Sequence, residues 1–156
     1  MILSEIITEK EFVLSELAAT DRWGAINEMI TRLIEVGKIK SEDREAIFES
    51  VKRREKSMGT GIGFGVAIPH ACTNLIEQVV GILGRSRKGI DFDSLDNQPV
   101  NLIVLFLVPL GQFQKHLHTL ASIAKLTHVR EFRSSIEQAP DAESIVQAIR
   151  VQLARP

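Results

Sequence analysis

The sequence predicts an α/β fold, a three-layer sandwich in which a mixed central β-sheet lies between helices. Two observations carry this. Residues 78–84 and 100–108 are apolar on both faces, as strands covered on both sides must be. Amphipathic helical segments stand before, between and after the strands, which is the element pattern of an α/β sandwich.

Each element has its own justification. Thr20 and Asp21 can cap a helix whose apolar positions Trp23, Ile26, Met29, Ile30, Leu33 and Ile34 recur at helical spacing, with Gly37 as its stop. A second helix, from Ser41 to about Arg54, carries Ala46, Ile47 and Val51 on one face and gathers Lys52, Arg53, Arg54 and Lys56 at its end, where cations suit the helix dipole. Alternating glycines at 59, 61, 63 and 65 lead into a short strand, Val66 to Ile68, that ends on Pro69-His70. Strand 78–84 follows, and Ile90 to Pro99 is rich in turn formers that connect it to strand 100–108. Pro109 and Gly111 end that strand. A helix over Lys115–Leu126 has Leu117, Leu120, Ile123 and Ala124 as its core stripe, and two short helices near Val129–Gln138 and Asp141–Leu153 complete the chain.

Composition narrows the function classes. The 156 residues fit one domain, 1–156, able to bury roughly two-thirds of its unfolded surface. The 19 Lys and Arg against 20 Asp and Glu leave a charge of −1, and the chain has no long basic block, so nucleic acid is not an expected partner. Cys72 is the only cysteine, which excludes an intrachain disulfide and a thiolate zinc cluster and fits a reducing compartment. The N-terminus lacks a basic region followed by an apolar one, and the run Leu102–Leu110 is far short of a bilayer span. A soluble cytoplasmic protein without membrane insertion is expected.

The glycine run and the histidines carry the chemistry. No Gly-Lys-Ser/Thr follows the glycines, so the phosphate cradle of a nucleoside triphosphatase is missing. The third glycine of a dinucleotide fingerprint is replaced by Val66, and Pro69 stands where that fingerprint needs a helix. His70, one of His116 and His118, and Arg54 instead supply what phosphoryl transfer needs: an in-line nucleophile and positive donors around the equatorial oxygens. Positions i and i+2 do not share a helix face, so at most one of His116 and His118 faces the site. His128 reads as structural, the Arg85-Arg87-Lys88 cluster as a solvated turn, and Arg54 reads equally as a helix-end cation. No spacing among His and Cys matches a metal site, and no cofactor is expected.

Several motifs together resemble the enzyme IIA domain of the fructose/mannitol class of the bacterial phosphoenolpyruvate-dependent sugar phosphotransferase system. They are Arg54-Glu55 with Gly59-Thr-Gly-Ile-Gly63, Val66-Ala-Ile-Pro-His70, Gly89-Ile-Asp-Phe-Asp93 with Gln98-Pro-Val100, strand 104–108 and His116-Leu-His-Thr-Leu120. The resemblance runs almost end to end. It implies a phosphocarrier in which His70 is the phosphorylated histidine, His116 contacts the phosphoryl group and Arg54 supports the site, with no metal or nucleotide cofactor. The implied donor is an HPr-like phosphoprotein, and the implied acceptor in the sugar branch is a IIB component. The chain length and the wording of His116-Leu-His-Thr-Leu120 resemble the nitrogen-regulatory branch, in which phosphorylation controls a regulatory target protein; the sugar-specific IIA component and a docking module of the same fold without phosphorylation are the alternatives. Phe64 stands where that branch usually has a small polar residue. Ala71-Cys72 stands where glycine and a basic or polar residue are common, and these departures are expected to alter the partner-facing rim.

Overall fold

The structure, a computed structural model, describes residues 3–153. In chain order its helices are α1 (Leu3–Ile6), α2 (Arg22–Glu35), α3 (Arg44–Ser57), α4 (Phe113–Thr127), α5 (Arg130–Gln138) and α6 (Ala142–Leu153). Its strands are β1 (Val13–Leu14), β2 (Gly61–Gly63), β3 (Val66–Ala67), β4 (His70–Thr73), β5 (Val80–Ile90) and β6 (Val100–Pro109). They form one mixed sheet in the order β1-β5-β6-β3-β2, with β4 also paired to β6. β5 runs antiparallel to β6, while β3 and β4 run parallel to it on its other side.

The alternation of β6 divides the core into two layers. Ile103, Leu105 and Leu107 pack with Ile26, Met29, Ile30, Leu33, Ile47 and Val51, the buried stripes of α2 and α3. Leu102, Val104, Phe106 and Val108 pack on the opposite face with Leu3, Ile123, Phe132, Ile145 and Ile149, from α1, α4, α5 and α6. A strand whose successive side chains enter different cores must be apolar on both faces, which is the nearly continuous pattern in the sequence, interrupted at exposed Asn101. The three-layer α/β arrangement agrees with the sequence reading. At the start of α2 the Asp21 carboxylate accepts from the Gly24 N–H at 3.3 Å, as its capping position requires.

Four expectations change. His70 does not end a strand: β3 and β4 hold one parallel register on β6, from Val66 opposite Leu102 through His70 opposite Phe106 to Thr73 opposite Pro109. The gap between them falls at Ile68-Pro69, because Pro69 has no N–H to give the ladder and the Ile68 N–H turns away to the Thr60 carbonyl at 3.1 Å. Strand 78–84 extends to Ile90, so Arg85, Arg87 and Lys88 lie on β5 and not in a solvated turn; Arg85 is 3% exposed. α4 begins two residues before Lys115, at Phe113. Finally, α1, β1 and β2 are short elements that no extended periodicity announces.

The glycine run is a hairpin. β2 and β3 are antiparallel and joined by Phe64-Gly65, both with positive φ, 58° and 75°, as a two-residue type I′ turn requires. Gly61 is needed for close packing, since a Cβ there would collide with the Ser94 hydroxyl and stand 3.0 Å from the Ser94 backbone. These two glycines therefore close the hairpin and seat it on the 91–99 loop. Gly61→Ala should cost about 1–3 kcal/mol, the range for forcing an extra methyl into a packed site, read as a lower urea midpoint with an unchanged slope.

Candidate functional site

The hairpin ends where the site begins. Beyond the Ile68-Pro69 interruption the Pro69 carbonyl resumes pairing, accepting from the Phe106 N–H at 3.0 Å, and this fixes the backbone of His70 beside the central strand. The His70 side chain turns back to its own strand, with Nδ1 2.9 Å from the Ile68 carbonyl. A carbonyl only accepts, so Nδ1 carries the proton and the neutral ring holds its lone pair on Nε2. Nε2 is buried and has no hydrogen-bond partner among the described residues. The ring lies nearly parallel to Phe113, at the first turn of α4, with centroids 6.1 Å apart and planes 15° from parallel.

Burial, foremost, pushes the His70 imidazole below its ordinary pKa, because an imidazolium there would lose its hydration. The hydrogen bond to Ile68 opposes this, the positive charge of Arg54 adds to it, and the negative charge of Glu55 opposes it. The result at neutral pH is an uncharged imidazole with one nitrogen committed and the other free, the form a nucleophile needs.

Arg54 stands in the last turn of α3 and donates from Nη1 to the Met58 carbonyl at 2.8 Å. It thus serves as a helix-end cation and also acts on His70 through its charge. The next residue, Glu55, is 1% exposed and was assigned no role from sequence. Its carboxylate accepts from the Thr60 N–H at 2.6 Å and from the Thr60 hydroxyl at 2.5 Å. That clamp fixes the step from α3 into the hairpin, and Thr60 in turn holds Ile68, whose carbonyl orients His70. The order Glu55, Thr60, Ile68, His70 is a relay of hydrogen bonds between residues with no periodic spacing, so only the structure reveals it.

His116 is buried, one turn after Phe113 on α4, whereas His118 is exposed. The two thus lie on different sides of the helix, as i and i+2 positions do. His116 lines a neighbouring cavity of about 450 Å³ with Phe12, Lys38, Glu77, Gln112 and Lys115. Burial and then the charge of Lys115 lower its pKa. His70 and His116 are not hydrogen-bonded to each other; the shared neighbour is the first turn of α4, through Phe113. The spacing Phe113 to His116, i to i+3, is the signal that could have placed Phe113 beside the site.

The expected rim residues lie elsewhere. Ala71 is a core residue packed against the α2–α3 layer, and half-buried Cys72 packs against the opposite layer. Phe64 sits in the turn before β3, whose first residue, Val66, is already four strand residues and about 13 Å from His70. Exposed apolar side chains near the site are Leu75 and Leu110, held where β4 and β6 end by their backbone N–H groups on Thr73, and Leu117 beside His116. Among the described residues no cluster of His, Cys, Asp or Glu could hold a metal ion, and no helix is long and apolar enough to cross a membrane.

Comparison with known proteins supplies the family. Residues 6–151 match the model of the phosphoenolpyruvate-dependent sugar phosphotransferase system EIIA 2 family. A nitrogen regulatory protein of Bradyrhizobium diazoefficiens is 34% identical over 135 residues, 86% of each chain. The fructose-specific EIIABC component of Bacillus subtilis is 33% identical over 149 residues, which are 96% of this chain but only 23% of that longer protein. Among solved structures, nitrogen regulatory protein IIA-Ntr from Neisseria meningitidis superposes with a TM-score of 0.81 at 28% identity, covering 90% of this chain and 94% of that one. The fold recurs at 14% identity, with a TM-score of 0.74 over 90% of this chain and 95% of the other, in Escherichia coli enzyme IIAMTL, solved in complex with phosphorylated enzyme IIBMTL. A family match across nearly the whole chain, on a mixed sheet that holds one neutral histidine beside its central strand, leads to one conclusion: the chain belongs to the EIIA 2 family of the phosphoenolpyruvate-dependent sugar phosphotransferase system.

Proposed function

We propose that this chain is a phosphoryl carrier, acting as a single domain in the cytoplasm, that accepts a phosphoryl group on Nε2 of His70 from an HPr-like phosphoprotein. The observation that carries the reading is the unpartnered Nε2 of a neutral ring whose Nδ1–H is held by the Ile68 carbonyl. In the transfer the Nε2 lone pair forms a bond to phosphorus while the donor's N–P bond breaks. The positive charge that develops on the ring is met by the hydrogen bond already made to Ile68. Arg54 and His116 are the donors for the equatorial phosphoryl oxygens. The apolar side chains of Leu75, Leu110 and Leu117 offer contact area to a protein donor at this end of the sheet.

The nitrogen-regulatory branch is favoured, with phosphorylation of His70 as a signal to a regulatory target. Support comes from a relative of that name at 34% identity over 86% of its length and from the 28% identical IIA-Ntr structure, while a fructose-specific EIIA component of Haloferax volcanii, 30% identical over 89% of its length, keeps the sugar-specific reading as the alternative. In the sugar-specific reading the acceptor is a IIB component, the partner seen bound to the mannitol enzyme of the same fold.

Incubation with phosphoenolpyruvate, enzyme I and an HPr-type carrier should add one acid-labile phosphoryl group, with nitrogen NMR placing it on Nε2. His70→Ala should abolish it; unchanged labelling of that variant would overturn the assignment. His116→Ala should still fold but should transfer about 100-fold more slowly, the usual cost of losing one donor to a developing anion. Wild-type rates would remove His116 from the site. Because the His70 pKa is lowered, the unfolded chain binds more protons than the folded one below about pH 6.5. Stability should therefore fall as pH drops below that value and the fall should lessen in His70→Gln, as read from urea midpoints between neutral and mildly acid pH.

A further inference from the structure

We propose a second ligand site, for a small organic anion with a planar body and a carboxylate or phosphate head, at the end of the sheet away from His70. It is a cavity of about 400 Å³, within the range of small-molecule sites, lined by Phe64, Arg85, Arg87, Asn101, Arg133 and Glu137. Three guanidiniums and one carboxylate line it. Among the described residues none of the three arginines has an ion-pair partner, the only such pair being Arg32 with Glu35.

Arg85 is the anchor. It is 97% buried by its 3% exposure, yet its guanidinium is met only by carbonyls: Nε donates to Ser15 at 2.8 Å, and Nη1 donates to Ile136 at 2.7 Å and Ala139 at 2.6 Å. Those two carbonyls close the end of α5, so part of the role of Arg85 is to cap that helix. Among the described residues the Nη2 group of Arg85 makes no hydrogen bond, and Arg85 lines the cavity. Capping does not explain Arg133, which donates to the Thr127 carbonyl at 3.0 Å and lies 4.6 Å over the ring of Phe64. A buried cation without a counter-charge is costly, and an anion in the cavity would supply one. Glu137 on the cavity wall, Glu16, which accepts from the Arg87 N–H at 3.1 Å, and Asp96 at the Phe64 N–H are the acidic groups around the cluster.

Phe64 is the second, independent observation. It holds a left-handed backbone, φ 58°, at a turn position that favours asparagine, and a bulky side chain there costs roughly 1–2 kcal/mol. The Asp96 carboxylate steadies the turn by accepting from the Phe64 N–H at 3.2 Å. The ring is nonetheless 60% exposed, packed edge-on against His128 with centroids 5.2 Å apart and stacked under Arg133. An exposed aromatic retained against backbone strain, beside three unpaired guanidiniums, is a platform for a planar anion.

The test is an NMR titration of the labelled full chain with phenyl phosphate, benzoate, benzyl alcohol and inorganic phosphate. At least one aromatic anion should saturate the amides of Gly65, Ser86 and Asn101 with a dissociation constant below about 1 mM, and the tighter of the two identifies the head group. Arg87→Gln and Arg133→Gln should each weaken that anion about tenfold, the order of one charge-assisted hydrogen bond. Phe64→Asn, which suits the turn, should weaken it while leaving the melting temperature no lower. The proposal is overturned if neither anion saturates below about 1 mM, if benzyl alcohol or inorganic phosphate binds as tightly, or if all three variants bind like the wild type.

Discussion

The pairing of residues 66–73 with β6 is the constraint on which the rest depends. One register carries β3 and β4 along the central strand, and the two helical layers pack on the faces that β6 alternately presents. The interruption at Ile68-Pro69 costs the ladder little, because a proline has no N–H to place there and Thr60 takes up the Ile68 N–H. By strand alternation the Ile68 carbonyl faces away from β6, on the side of its own N–H, and there it orients His70.

Burial sets the state of the ring, and two opposed charges modulate it. Arg54 and Glu55, adjacent in sequence, act on His70 with opposite sign, while burial dominates both. The two residues divide their tasks: Arg54 keeps one tether to the end of α3 and reaches toward the site by charge, and Glu55 spends both oxygens on Thr60. The buried carboxylate is tolerable because each oxygen has a donor.

Much of this was legible in the residues. Nearly continuous apolarity over 100–108 announced a doubly covered strand, and the capping and stripe of 20–37 announced α2, because both patterns follow local periodicity. The Pro69-His70 pair and the i, i+2 argument for His116 and His118 named candidates from local spacing alone, and in the fold His116 is buried and His118 exposed. Other features depend on contacts between distant residues. The Glu55–Thr60 clamp, the burial of Arg85 against the end of α5 and the pressing of Gly61 on Ser94 have no periodic signature. The glycines drew attention as a cradle for phosphate, and in the structure Gly65 is spent on turn geometry and Gly61 on close packing of the chain against itself.

The shielding of His70 Nε2 has a consequence for time. A phosphoryl group attached to a ring that is 6% exposed and stacked on Phe113 would meet bulk water rarely, so spontaneous hydrolysis would be slow relative to removal by a docked protein. A carrier phosphorylated there would retain a record of its last encounter with a donor. Its modified fraction would report the recent balance between supply and withdrawal.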